Sequence, residues 1–161
     1  MASGHPVFID GGNVHLRGAI TAETCSISTG HGMTVVDMGQ LRSNQFSGIA
    51  TYGPPVPFSL FLTGCRRDIN DRIAITFQGV ADGKDPQVLE VKPGINTASG
   101  VGLAIFDRDG EMITPNALPH TVVAVNNNPL TLRFIARYRA TSRHVVGGQA
   151  DVWTHFTVSY Q

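Results

Sequence analysis

Charge is the first thing this sequence has little of. Only 15% of its 161 residues are charged, against about 25% in an average soluble protein, and 12 Lys and Arg balance 12 Asp and Glu. The longest basic run is Arg66-Arg67, so there is no cationic track for a polyanion, and nucleic acid is not an expected partner. Nor is there any stretch of the roughly 18 to 20 uninterrupted apolar residues that a membrane helix requires. The opening MASGHPVF has neither a basic region nor an apolar signal core. If the chain is exported, its signal has been removed and Met1 is uninformative. Cysteine is scarce too. Cys25 and Cys65 stand in no C-x-x-C spacing, which leaves little basis for a redox pair or zinc site, and a structural disulfide formed in an oxidising compartment is favoured.

Catalytic signals are also missing. The six histidines, His5, His15, His31, His120, His144 and His155, include no His-x-His pair of the kind a copper or zinc sandwich enzyme uses. Asp107 and Asp109 flank a short turn and lack the distal acidic ligand of a helix-loop-helix calcium site. No Gly-x-Ser-x-Gly elbow occurs, and the Gly100-Val-Gly102 pair opens a strand rather than a helix, so it is no nucleotide fingerprint. The expectation is a protein with no catalytic residue, no metal and no cofactor.

What the chain does have is turns and alternation. Its 18 glycines and nine prolines punctuate short runs in which apolar residues recur with period two, the pattern of an all-β sandwich or barrel. From Leu130 to Ala140 the even positions are apolar except for the amphipathic Tyr138, while three arginines fall on the odd ones, giving one core face and one largely wet face. Near the C-terminus Val152, Phe156, Val158 and Tyr160 share a side opposite Asp151, His155, Thr157 and Ser159, with Trp153 breaking the polar side. Further strands are expected at 14–20, 24–27, 34–38, 56–63, 72–77, 88–91, 102–106 and 121–125. Asp107-Arg-Asp-Gly110 reads as a β-turn. This length suits a single domain burying roughly two thirds of its unfolded surface. A Cys25–Cys65 bridge would close a loop long enough to contribute about 4 kcal/mol.

Several segments, in order and spacing, resemble the subunits of chaperone-usher fimbriae of the type 1 and P pilus kind. They are Gly11-Gly-Asn-Val-His-Leu-Arg-Gly18, Cys25, Val56-Pro-Phe-Ser-Leu-Phe-Leu-Thr-Gly-Cys65, Ile75-Thr-Phe-Gln-Gly79, Ala98-Ser-Gly-Val-Gly-Leu-Ala-Ile-Phe-Asp107, Leu132-Arg-Phe-Ile-Ala-Arg-Tyr138, Gly147-Gly148 and the ending Phe156-Thr-Val-Ser-Tyr-Gln161. The resemblance implies an incomplete immunoglobulin-like β-sandwich that lacks its last strand and is completed by donor-strand complementation. A periplasmic chaperone, and then the N-terminal arm of the next subunit at the outer-membrane usher, would fill the groove.

Carried onto this chain, the resemblance makes residues 1–18 an N-terminal extension and 19–161 the pilin domain. Asp10, Gly12, Val14 and Leu16 would face inward on the donor strand, and Val152, Phe156, Val158 and Tyr160 would line the acceptor groove. The partners implied are neighbouring pilus subunits, the chaperone and the usher, on an extracellular fimbrium that supports adhesion. The alternatives are a terminating or anchoring subunit and a carbohydrate-binding sandwich adhesin.

Overall fold

A computed structural model describes residues 8–20, 26–27, 33–63, 72–123 and 130–160. Its strands are β1 (Phe8–Asp10), β2 (Asn13–Ile20), β3 (Ser26–Ile27), β4 (Met33–Asp37), β5 (Gln40–Arg42), β6 (Val56–Thr63), β7 (Arg72–Gln78), β8 (Leu89–Glu90), β9 (Val101–Asp107), β10 (Met112–Ile113), β11 (His120–Val123), β12 (Leu130–Ala140) and β13 (Val152–Tyr160). A single 3-10 turn, Ser43–Gln45, is the only helical element among the described residues.

The strands form two facing sheets. One runs β10-β9-β12-β6-β3 with β8 also on β9, and the other β11-β7-β13-β2-β4, while β1 and β5 make a small separate pair. The alternation read in the sequence places the core between them. All the even positions from Leu130 to Ala140 are buried, as are Val152, Phe156 and Val158. Aromatic rings knit the layers together: Phe134 of β12 lies 5.3 Å from Phe58 of β6 and meets Phe77 of β7 edge-on at 5.5 Å.

The odd face of β12 is less wet than its arginines suggest. Arg137 and Arg139 lie over the Tyr52 ring at 5.0 and 5.6 Å, and Arg139 also pairs with Asp85 at 3.2 Å. Long cationic stems can cover apolar surface while their heads stay paired, which explains the difference. Two strands escaped the sequence reading, β5 and β10, each too short to show a period, and β1, expected as the outer part of the arm strand, is a separate strand. The turn after β9 is as expected. Asp107 Oδ1 accepts the Asp109 and Glu111 N–H groups at 2.9 and 3.0 Å, and Gly110 takes φ +86°.

Among the described strands every pairing is antiparallel except one. β2 runs parallel to β13, from Val14 opposite Val152 to Ile20 opposite Val158, and antiparallel to β4 on its other edge. A parallel pair needs a long crossover. Here almost the entire chain serves as that connection.

Candidate functional site

The site is the slot that β2 fills. Alternation turns Val14 and Leu16 inward, and both are 0% exposed. Burying two such side chains contributes on the order of 3–6 kcal/mol. β13 forms one wall with Val152, Phe156 and Val158, and β4 the other with Val36, Met38 following just after it. Gly18 stands opposite Phe156, and a Cβ there would run into the Phe156 ring. The glycine lets that ring close over the strand.

The head of the slot is built from close backbone approaches. Gly12 has φ +55°, a conformation glycine adopts without the Cβ penalty, and a Cβ on it would collide with Asp151 Oδ1 and the Ala150 carbonyl. The Gly12 carbonyl accepts the Met38 N–H at 3.0 Å, and the Asn13 N–H donates to Asp151 Oδ1 at 2.9 Å. The fully buried Tyr138 hydroxyl lies 2.7 Å from the Gly11 carbonyl and 2.6 Å from the Ala150 carbonyl. A hydroxyl carries one hydrogen. It donates to one carbonyl at a time, so it links arm and groove while keeping an acceptor available in the groove itself.

The structure thus brings Gly12, Val14 and Leu16 together with Val152, Phe156 and Val158. Tyr160 is the last residue of β13, opposite Ile73 of β7. Asp10 lies elsewhere: it belongs to β1 and stands opposite Gln40 of β5. The left-handed turn at Gly12 breaks the extended path, so the parity of Val14 and Leu16 does not carry back to residue 10. Cys25 and Cys65 lie outside the described residues. The sequence reading also left out Gly18, Tyr138, Asp151 and the β4 wall. The glycine spacing and the Val36, Met38 alternation were available signals, whereas the long-range partners of Tyr138 and Asp151 were not.

One group among the described residues has the composition to hold a metal ion. The ligand atoms of Asp107, Glu111 and His120 lie within 4.8 Å of one another. In the structure His120 Nε2 and Asp107 Oδ2 are bonded to each other at 3.0 Å, tying the start of β11 to the end of β9 across the two sheets. Burial resists ionisation of Asp107. The hydrogen bond to His120, those from the Glu111 and Asp109 N–H groups, and the His120 charge outweigh it, holding the carboxyl below its ordinary value.

The comparisons with known proteins agree on one family. The model of the family described as "Fimbrial protein" matches residues 14–161. The chain belongs to this fimbrial protein family.

The fimbrin-like protein FimI of Salmonella typhi is 40% identical over 159 residues, covering 96% of this chain and 88% of that one. The type 1 fimbrial subunit of Salmonella typhimurium is 33% identical, covering 97% and 86%. Among solved structures, the P pilus rod subunit PapA superposes with a TM-score of 0.69 at 17% identity, covering 86% of this chain and 99% of that one, a likeness of fold. The Burkholderia pseudomallei antigen and type I fimbria protein reaches 26% identity with a TM-score of 0.55, covering 96% and 95%. The fimbrial chain is a structural subunit of a bacterial surface fimbria whose partners are other pilus subunits, and its family is structural rather than enzymatic.

Proposed function

We propose that β2 is the exchangeable donor arm of this fimbrial subunit, that the slot between β13 and β4 is its acceptor groove, and that the arm lying in its own chain's groove is the resting form before assembly. Polymerisation then replaces the chain's own arm with that of a neighbour. The observation that carries this reading is the parallel pairing of β2 with β13, the one parallel contact among the described strands. The strand comes from the chain's N-terminal part, contributes two fully buried side chains, and joins two walls that otherwise share no ladder.

In this reading residues 1–18 are the extension and 19–161 the pilin domain. Gly12, Val14 and Leu16 are the dependable inward positions of the arm, while Val152, Phe156, Val158 and Tyr160 line the groove. A vacant groove would expose apolar surface along a long sheet edge, an aggregation hazard. A periplasmic chaperone and an outer-membrane usher are therefore the partners expected to guard it during assembly. The periplasm also suits a Cys25–Cys65 bridge. That bridge is supported by the pairing of Ser26 with Thr63, which brings the described neighbours of the two cysteines onto adjacent strands.

The test is to incubate purified full-length chain with a labelled peptide of residues 6–20 and follow its uptake, then to follow growth of polymers from concentrated chain by light scattering. Stable peptide uptake and slow chain growth are expected. No uptake and no growth under any condition that preserves the fold would refute the exchange reading.

A further inference from the structure

The inward face of β2 is occupied by Val14 and Leu16, but its outward face carries a second attachment. The parallel register sets His15 directly beside Trp153 of β13. The two rings stack with centroids 3.9 Å apart and planes 8° from parallel. Lys92 approaches the same indole, its Nζ 5.3 Å from the ring centroid. The Lys92 N–H donates to the Asp151 carbonyl at 2.7 Å, which fixes that segment at the head of β13. Trp153 nevertheless remains 47% exposed. The stack is therefore outside the sandwich core: it joins arm to groove without being needed to hold the two sheets together.

We propose that His15 and Trp153 are positioning residues forming an outer clasp that sets how readily the arm leaves the groove. The inference rests on the exchange reading above. Inside the slot the arm is held by burial and by ladder bonds, which a replacement arm can supply in turn. The ring stack adds to that hold from the solvent side, and like the ladder it must come apart before β2 can lift from β13. Stacked aromatic pairs contribute about 0.5–1.5 kcal/mol beyond burial, equivalent to about a 2–12-fold change in the opening equilibrium. Lys92 steadies the indole through its ring face.

The experiment is native-state hydrogen exchange on the full chain and on two variants. His15→Val keeps a strand-favouring residue but removes the ring, while His15→Tyr restores a ring that can stack. β2 amides of His15→Val are expected to exchange about 2–12-fold faster than wild type, with His15→Tyr close to wild type and β12 amides unchanged in both. Wild-type protection of β2 in His15→Val, or a His15→Tyr variant that opens as readily as His15→Val, would overturn the clasp.

Uptake of a labelled peptide of residues 6–20 by the same proteins separates the two claims. If β2 opens faster in His15→Val but no variant takes up peptide, exchange is refuted and the clasp stands. If uptake occurs at one rate in all three and β2 protection is equal, the clasp is refuted and exchange stands.

Discussion

Strands β12 and β2 occupy comparable places. Each lies inside its sheet with a neighbour on both sides, and each turns fully buried side chains into the same core. They differ in what their removal would leave. β12 is the middle of an antiparallel set with β6 and β9, and its Phe134 reaches across to the opposite sheet. Without it one layer of the sandwich falls apart. β2 is paired in parallel to β13, and without it β11, β7 and β13 remain laddered while β4 loses its partner strand. Depth of burial is therefore a poor guide to permanence. In the proposed exchange, β2 can leave because β11, β7 and β13 keep their ladder without it, and the groove left between β13 and β4 is apolar.

The largest expected effects separate these two strands. Phe134→Ala should lower stability by about 3–5 kcal/mol, measured by denaturant unfolding, and an added peptide of residues 6–20 should not restore it. Leu16→Ala should cost about 2–5 kcal/mol in the same measurement, but here the wild-type peptide should recover most of the loss by taking the place of the weakened arm. Equal failure of rescue in both variants would remove the distinction between the strands.

A smaller effect is expected where the two regions meet. Tyr138→Phe removes the hydroxyl shared by the Gly11 and Ala150 carbonyls. It should destabilise the chain by about 1–2 kcal/mol, with the added exchange in its amide map concentrated at the heads of β2 and β13.

The smallest effect concerns the clasp between the sheets at Asp107 and His120. Because the folded pKa of Asp107 lies below its ordinary value of 3.8, the carboxyl contributes stability above that value. The contribution is lost as pH falls through the lowered one. Asp107→Asn should thus cost about 1 kcal/mol near neutral pH. It should also show a shallower decline on acidification from about pH 5 to about pH 2 in urea midpoints. A decline as steep as wild type would remove Asp107 from the acid response.

Much of this was legible from residue order. Alternation placed β12 with the bounds the structure has, because a half-buried strand writes its two faces directly into the sequence, and β6 and β13 were read at their observed places although Phe61 and Trp153 interrupt the pattern. The all-β incomplete sandwich followed from that alternation together with the family resemblance. β5 and β10 were not legible, nor was the separation of β1 from the arm: two or three residues cannot display a period, and these strands form against a partner lying alongside. Gly12 shows both sides. Its place on the arm followed from the resemblance, but its left-handed φ was not readable, and that turn is why Asp10 pairs with Gln40 instead of extending β2. The direction of β2 beside β13 is likewise invisible to alternation, since a parallel and an antiparallel strand bury the same residues.

The central claim, that β2 is a separable strand completing a fold that is otherwise unfinished, is tested most directly by a chain lacking residues 1–17. Its folding would be measured by circular dichroism and sedimentation with and without a peptide of residues 6–18. The truncated chain should be aggregated or lack a cooperative unfolding transition on its own, and should become a soluble, cooperatively unfolding complex when the peptide is present. A truncated chain that is a soluble monomer with the stability of the full chain, indifferent to the peptide, would contradict the account.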